Sequence, residues 1–251
     1  MSDGPSADAA RVSESLEAAR RILVLTGAGV SAESGIPTFR GQDGWWRRLD
    51  PARLATRTAF DSDPTLVWEW YQHRRGLVRD ATPNRAHRAI AAWEDAGKDV
   101  LVATQNVDDL HERSGSRRVA HIHGSIWAVR CEGCGIEREE RAHPLPALPP
   151  RCECGALLRP GVVWFDEALP ADPIAEIEAF LDRPCDLTLL VGTEVSFGYI
   201  ARWADAARWG GALLVEVNPS RTRMSDHVDV RLEGPAGVLL PSLAGPAPAT
   251  E

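Results

Sequence analysis

Four clustered cysteines have the spacing of a metal site. Cys131 and Cys134 form a CxxC pair, and Cys152 and Cys154 form a CxC pair after a gap of 17 residues. Two such pairs can hold zinc tetrahedrally at about 2.3 Å, and because four protein ligands leave no open position, the metal would be structural. A disulfide or a redox role is the alternative. Cys185 stands apart and is predicted to be a small buried residue rather than a fifth ligand.

Two histidines could move protons. His121 and His123 are separated by one isoleucine, so alternation along a strand predicts that both lie on one face. A glycine follows His123, and the amide- and acid-rich run 104–109 precedes the pair. An imidazole, with an ordinary pKa of about 6.5, is suited to act as a general base near neutral pH. The alternatives are a structural histidine and, for the polar run, a capped loop that begins a helix.

A glycine turn follows the first apolar run of the chain. Gly27 and Gly29 come directly after residues 22–25, and a long polar loop continues to residue 41. Glycines at this place let the backbone approach a pyrophosphate. GxG alone is only part of the dinucleotide-binding fingerprint, and an ordinary turn is the alternative. The length of the loop favours a functional role, and Arg40 within it offers a guanidinium to a phosphate or a carboxylate.

Tyr71 and Arg74 are three residues apart in a segment predicted to be helical. Residues at this spacing share one face of a helix, so a phenol and a guanidinium there can hold one carboxylate together. Composition alone favours the alternative, which is an exposed helix that carries basic residues.

Four apolar runs indicate an α/β fold. Continuous apolar strands are typical of a parallel sheet covered on both faces, and ligands bind at the carboxyl ends of such strands. Each run ends in a polar loop, so we predict a Rossmann-like, doubly wound parallel sheet with a crevice at those loops. The runs cover residues 22–25, 100–103, 187–191 and 212–217.

The composition is that of a globular protein with a net charge of −8. The excess of acidic groups argues against binding to nucleic acid or to an anionic membrane, for which a basic surface supplies most of the affinity. The first residues carry acids with no apolar stretch after them, and no run reaches the ~18 apolar residues of a membrane span. With thiols clustered as for a metal, these features predict a cytoplasmic location.

Taken together, these segments resemble the sirtuin family of NAD-dependent protein deacylases. The resemblance implies one catalytic domain over residues 11–243, with flexible tails at 1–10 and 244–251. A Rossmann-like lobe would cover about 11–40, 85–124 and 164–243, and a smaller helical and zinc-ribbon lobe about 41–84 and 125–163. The matching segments, in the family's order, are Gly27–Gly41, Thr104–His111, His121–Ser125, the four clustered cysteines, Arg159–Glu167, Val191–Glu194 and Val215–Pro219.

The resemblance implies a reaction that consumes NAD as co-substrate and a structural zinc. The acyl oxygen of an acylated lysine attacks the ribose carbon as nicotinamide leaves, and the products are free lysine, nicotinamide and O-acyl-ADP-ribose. His123 would be the base on a ribose hydroxyl, and Asn106 would be the second catalytic residue, at the reacting ribose. The other residues implied to hold NAD are Gly27, Ala28, Gly29, Thr38, Phe39, Arg40, Gln105, Asp108, Gly192, Thr193, Asn218 and Ala236.

Segment 54–60 and the Tyr71–Arg74 pair resemble class III of the family, which removes succinyl, malonyl and glutaryl groups. Tyr71 and Arg74 would bind the distal carboxylate, and Ala59 would leave room for it. We therefore expect desuccinylase and demalonylase activity, together with some deacetylase activity. The strand expected to pair its backbone with the substrate peptide contains Val162, Val163 and Phe165.

Three features depart from the family pattern. Glu194 stands where the family has serine, Asp166 stands where glycine is frequent, and the second cysteine pair is CxC. Two other functions are open: transfer of ADP-ribose to a protein or hydrolysis of NAD on the same fold, and a non-catalytic sensor that binds NAD and zinc. The expected partners are acylated-lysine proteins or peptides, and the expected oligomeric state is a monomer.

Overall fold

Two sheets organise the chain. The structure is a computed structural model that describes residues 6–38 and 51–243. In these residues, six parallel strands form one sheet in the order β3-β2-β1-β7-β8-β9, and three antiparallel strands form a second sheet in the order β5-β4-β6. The strands are β1 (Arg21–Thr26), β2 (Asp99–Thr104), β3 (Val119–His121), β4 (Gly124–Cys131), β5 (Glu137–Glu139), β6 (Leu158–Val162), β7 (Leu187–Val191), β8 (Leu213–Asn218) and β9 (Val230–Glu233).

Helices cover both faces of the parallel sheet. One face of β1, with Ile22 and Val24, packs against α1, α6 and α10, and the other face, with Leu23 and Leu25, packs against α8 and α9. Burial on both faces explains why the strand is apolar throughout. The helices of the described residues are α1 (Ala7–Ala18), α2 (Ala28–Ala32), α3 (Pro51–Leu54), α4 (Arg57–Ser62), α5 (Pro64–Asp80), α6 (Arg85–Asp95), α7 (Leu110–Arg113), α8 (Ala171–Leu181), α9 (Gly198–Trp209) and α10 (Ala236–Leu243).

The strand order places a crevice beside β1. This strand pairs in parallel with β2 on one side and with β7 on the other. The strand order therefore reverses at β1, since β2 and β3 extend the sheet to one side and β7, β8 and β9 extend it to the other. Ligands of doubly wound sheets bind outside the carboxyl ends of the strands at such a reversal. All four apolar runs lie in this sheet as predicted, although β8, which contains the fourth run, begins at Leu213 rather than at Ala212. The predicted fold class is therefore confirmed.

A second core joins α3, α4 and α5 to the antiparallel sheet. Trp68, Trp127 and Trp164 lie at its centre, and Trp68 donates its indole N–H to the carbonyl oxygen of Leu158 at 2.7 Å. Arg75, on α5, is fully buried. Its guanidinium donates to the carbonyl oxygen of Ile126, in β4, at 3.2 Å and to that of Ala142 at 3.0 Å. The helical and zinc-ribbon lobe expected from the sequence is present as this second core.

The amino-terminal tail is shorter than predicted. Residues 7–10 are not a frayed end but the first turn of α1, because the hydroxyl oxygen of Ser6 accepts the N–H of Ala9 at 3.2 Å and caps the helix. Phe39, Arg40 and the carboxyl-terminal tail lie outside the described residues. Within those residues, no helix is both long enough and apolar enough to cross a bilayer.

Candidate active site and metal centre

Three glycines allow the predicted NAD-binding loop after β1 to lie against the loop after β7. A Cβ on Gly29 would lie 2.8 Å from the Cα of Gly192, and a Cβ on Gly27 would lie 2.8 Å from the side chain of Thr193. Gly192 has a φ of +58°, and a Cβ there would meet the backbone N of Val30 at 2.4 Å. The two loops can approach this closely only because all three positions lack side chains.

Polar side chains then tie together the ends of neighbouring strands. The Gln105 amide, after β2, donates to the hydroxyl oxygen of Thr193 at 2.8 Å and to the carbonyl oxygen of Thr26 at 3.1 Å. The Asn218 amide, at the end of β8, donates to the carbonyl oxygen of Thr193 at 3.0 Å. The sheet therefore brings these predicted NAD-binding residues to one edge.

A buried chain of hydrogen bonds runs through the predicted ribose and nicotinamide residues. The Asn106 amide donates to Ser31 Oγ at 3.0 Å, and the Ser31 hydroxyl donates to the carboxylate of Asp108 at 3.0 Å. Burial raises the pKa of Asp108, although the backbone N–H of Leu110 and the Ser31 hydroxyl oppose this shift. Sequence reasoning gave Ser31 no role, although it lies inside the matching first segment.

His123 sits in a turn and not on a strand. The prediction that alternation along a strand orients both histidines was wrong, because β3 ends at His121 and β4 begins at Gly124. His123 Nδ1 lies 2.9 Å from the carbonyl oxygen of Gln105, so Nδ1 carries a proton and Nε2 a lone pair. Burial lowers the pKa of His123, which keeps the imidazole neutral near pH 7. His121 instead contacts the carboxylate of Glu112.

The segment after β6 connects His123 with α4. The backbone N–H of Val163 donates to the carbonyl oxygen of His123 at 2.9 Å, and that of Phe165 donates to Ala55 at 3.1 Å. Asp166, which departs from the family pattern, accepts the backbone N–H of Arg57 at 3.2 Å at the start of α4. The buried Val162 lies in β6, and Phe165 is 52% exposed, so the predicted substrate strand is open at its far end.

Tyr71 and Arg74 face the interior of the smaller lobe. Tyr71 is only 1% exposed, which rules out the exposed-helix alternative for it, and its oxygen accepts the indole N–H of Trp164 at 3.2 Å. Burial raises the pKa of Tyr71 to about 12. The Arg74 guanidinium carbon lies 4.9 Å from the centre of the Trp70 ring. Burial lowers the pKa of Arg74, and the carboxylate of Asp108 opposes that shift. The charge of Asp108, a residue of the predicted ribose site, therefore acts on the guanidinium of Arg74.

Three further predicted site residues, Ala59, Ala236 and Thr38, lie on other elements. Ala59 is half-buried in the first turn of α4, where its N–H caps onto the Thr56 hydroxyl at 3.1 Å. Ala236 is buried at the start of α10, and the next N–H of that helix donates to the carboxylate of Glu33 at 2.8 Å. Thr38 is half-buried at the end of the first described segment, and the exposed Glu194 lies in the loop after β7.

The four clustered cysteines form a compact sulfur site. Their Sγ atoms all lie within 4.8 Å of one another, with Cys131 to Cys154 at 3.4 Å and Cys134 to Cys152 at 3.8 Å. A zinc tetrahedron with bonds of about 2.3 Å has edges of about 3.8 Å, and a disulfide would need about 2.05 Å, so the donors fit zinc. Backbone N–H groups of Cys134 and Gly133 lower the pKa of the Cys131 thiol to about 6.

The fifth cysteine is buried as predicted. Cys185 is 3% exposed, and burial raises the pKa of its thiol to about 11. A neutral, buried thiol is a packing residue rather than a metal ligand. Together, the fold and the site define a Rossmann-like protein that has a half-buried imidazole at its crevice and a four-cysteine metal centre on a second lobe.

Comparisons with known proteins agree with this class. Residues 27–197 match the Sir2 family. The chain is 49% identical over 244 residues to NAD-dependent protein deacylase 1 of Pseudomonas aeruginosa, and this alignment covers 92% of this chain and 96% of that protein. It is 41% identical over 264 residues to the mitochondrial NAD-dependent protein deacylase sirtuin-5 of Danio rerio, and this alignment covers 94% of this chain and 86% of that protein. The crystal structure of a Sir2 homolog–NAD complex matches with a TM-score of 0.88 and 42% identity, over 93% and 91% of the two chains.

The chain belongs to the Sir2 family. The family resemblance, the fold class and the predicted cofactors, NAD and one structural zinc, are thereby confirmed. The roles of individual residues stay predictions. One residue that contacts the site was missed by sequence reasoning. The Tyr199 hydroxyl oxygen lies 2.6 Å from His123 Nε2. Its only signal in the sequence is the unusual segment that follows Gly192 and Thr193, which also contains Glu194.

Proposed function

We propose that this chain, an NAD-dependent protein deacylase of the Sir2 family, prefers lysines that carry short acidic acyl groups, succinyl and malonyl, and also removes acetyl groups. The products are free lysine, nicotinamide and O-acyl-ADP-ribose. The observation that carries the proposal is the inward-facing guanidinium of Arg74 beside the buried phenol of Tyr71.

Charge complementarity supports the acidic substrate. A partly buried guanidinium remains protonated at pH 7 and gains most from an anion that is removed from water with it. The Tyr71 oxygen accepts from Trp164, so its own proton can be donated to a second group, such as an acyl carboxylate. Ala59, on the neighbouring helix, adds only a methyl group to the same region.

His123 supplies the proton-accepting nitrogen. Its Nδ1–H is held by the carbonyl oxygen of Gln105, which leaves Nε2 to accept a proton from a ribose hydroxyl of the co-substrate. Asn106 and Asp108, joined through Ser31, are fixed to orient polar groups of the ribose and nicotinamide. NAD supplies the ribose carbon that exchanges nicotinamide for the acyl oxygen.

The substrate peptide is expected beside residues 163–165. The N–H groups of Val163 and Phe165 are already used within the chain, so a peptide strand would pair mainly through carbonyl oxygens of this segment. The expected partners remain acylated-lysine proteins and peptides. We also keep the expectation of a cytoplasmic monomer, the latter to be checked by sedimentation.

The test compares kcat/KM on one peptide that carries acetyl-, succinyl- or malonyl-lysine. Arg74→Met should lower desuccinylation about 10- to 150-fold, which corresponds to a charged hydrogen bond of about 1.5–3 kcal/mol, and should change deacetylation less than about 3-fold. Arg79→Met is the matched control, because Arg79 is an exposed arginine on the same helix.

Two results would contradict the proposal at different levels. Equal losses on acetyl and succinyl peptides in Arg74→Met would remove the acidic-acyl preference and leave the deacylase. Free ADP-ribose without any acylated peptide, or ADP-ribose attached to protein, would instead favour the hydrolase or transferase alternative, and mass spectrometry separates these products.

A further inference from the structure

The first turn of α9 places a phenol directly on the proposed base. The Tyr199 hydroxyl oxygen lies 2.6 Å from His123 Nε2. This contact is separate from the support of Nδ1 by the carbonyl oxygen of Gln105, so both ring nitrogens of His123 have partners in the described residues. Tyr199 is one of only two tyrosines in the chain, and the other, Tyr71, belongs to the acyl region.

The direction of the hydrogen bond follows from the protons available. His123 Nδ1 donates to a carbonyl oxygen, so in the neutral ring Nε2 can only accept. Burial raises the pKa of Tyr199, so its phenol keeps its proton at neutral pH and donates it to Nε2. Nε2 has a single lone pair, and at 2.6 Å no second donor fits between the two atoms.

Packing holds the phenol in this place. The Tyr199 ring stacks on Phe197 with centroids 5.4 Å apart and an interplanar angle of 10°, and its centroid also lies 5.4 Å from that of the tilted Trp203 ring. Phe197 and His123 also form a T-shaped pair with ring centroids 5.6 Å apart. Val195, at the start of this loop, has a φ of +52°, a left-handed conformation that is uncommon for a β-branched residue.

The same bond is the one that catalysis requires from the co-substrate. A ribose hydroxyl can lose its proton to His123 only if its own O–H points at Nε2 along that lone pair. We propose that Tyr199 occupies the accepting nitrogen of His123 in the ligand-free chain and is exchanged for a ribose hydroxyl when the co-substrate binds. One O–H to Nε2 hydrogen bond is broken and an equivalent one is made, so Tyr199 sets the affinity for the ribose and is not a proton carrier.

The exchange also explains how the half-buried His123 imidazole stays paired before the co-substrate arrives. An unsatisfied buried acceptor costs about 1–3 kcal/mol, and Tyr199 removes that cost in the free chain. When Tyr199 becomes Phe, no phenol competes with the ribose hydroxyl for Nε2. The free chain is then less stable, and the ribose binds more tightly.

Calorimetry with ADP-ribose, which carries the ribose hydroxyls but no leaving group, tests the proposal without any acylated substrate. Tyr199→Phe should lower the Kd for ADP-ribose about 5-fold or more, and kcat on an acetyl peptide should stay within about 3-fold. An unchanged or higher Kd would overturn the proposal. So would a fall of kcat of about 100-fold or more, because that size is typical of a lost proton-transfer group.

Spectroscopy of the ligand-free protein provides an independent readout. With tyrosine labelled at its ζ carbon, the two tyrosine signals are assigned by the one that disappears in Tyr199→Phe. Saturation with ADP-ribose should shift the Tyr199 signal and the His123 Nε2 resonance in the wild type. Absence of both shifts at saturation would mean that Tyr199 stays on His123, and the exchange would be wrong. Neither measurement depends on the acyl preference, so the two proposals fail separately.

Discussion

Two regions hold their functional groups in different ways: the smaller lobe, and the carboxyl ends of the parallel strands with the predicted NAD-binding residues, which we call the cofactor edge. At the cofactor edge, neutral amides, hydroxyls and backbone groups are held by strands buried on both faces, and three glycines let the loops touch. In the smaller lobe, charged and sulfur groups dominate, with the buried Arg75, the inward-facing Arg74 and the four cysteines. Strands that are buried on both faces hold site groups at fixed distances, whereas the smaller lobe depends on buried charges and on its sulfur ligands.

Removal of the metal should break the smaller lobe alone. Structural zinc contributes on the order of 10–16 kcal/mol in small zinc-binding peptides, so its loss exceeds any single packing change. Cys134→Ser should abolish zinc binding and deacylation, because the remaining three thiolates lose tetrahedral closure. Metal content by mass spectrometry and amide exchange will check this: residues 125–163 should exchange freely, while β1 and β2 stay protected.

Cys185→Ala is the control for this experiment. This thiol lies in the core of the parallel sheet and not in the sulfur site, so the variant should keep its zinc. Equal loss of protection in both sheets of Cys134→Ser would show that the two regions are not held separately, and the contrast between them would have to be abandoned.

A methyl group on Gly192 should break the cofactor edge. The added Cβ would meet the backbone of Val30 at 2.4 Å and would also force a left-handed φ on alanine. Overpacking of about 1–3 kcal/mol and a left-handed residue of about 1–2 kcal/mol together predict a loss of about 2–5 kcal/mol in the free energy of unfolding, with loss of ADP-ribose binding. Urea unfolding and calorimetry measure the two effects.

Gly97→Ala separates the two contributions. Gly97 also has a positive φ, +84°, but a Cβ there meets nothing within 4 Å. This variant should therefore lose only about 1–2 kcal/mol and bind ADP-ribose normally. If both glycine variants lost the same stability and kept their affinity, close contact between the loops would not be what Gly192 provides.

Acid should weaken the parallel-sheet lobe through a buried histidine. Burial lowers the pKa of His87 to about 4, so below pH 6.5 the unfolded chain takes up a proton that the folded chain refuses. Stability is therefore unaffected above pH 7 and falls as the pH drops from 6.5 towards 4, by about 2.5 kcal/mol at pH 4.5. Urea unfolding at pH 7, 5.5 and 4.5 measures this loss.

His87→Gln is the comparison for the acid effect. Glutamine does not titrate, and at this third helical position it can still accept the N–H of Asn84, as His87 Nδ1 does at 3.3 Å. The contribution of His87 to the acid-induced loss, about 2.5 kcal/mol at pH 4.5, should therefore be absent from this variant. Identical pH curves would mean that His87 is not the group that titrates.

The sequence was informative where one residue type has one physical use. Continuous apolar runs predicted the parallel strands, and cysteine spacing predicted the sulfur site, because these patterns follow from burial and from ligand number. Prediction failed at residues 7–10 and at His123, since a single cap and a two-residue turn decide local structure there. Tyr71 could be placed on a helix, but its burial depended on Trp164, 93 residues away in the sequence.

The sequence by itself determined the family, the parallel sheet, the metal donors and the candidate base. Each of these depends on residue type and order along the chain. Only the tertiary structure decided which atom of that base is available. The carbonyl oxygen of Gln105 fixes Nδ1 of His123, and Tyr199, 76 residues further on, reaches Nε2 from the start of α9. No pattern in the chain encodes that contact, because it arises where two elements pack side by side.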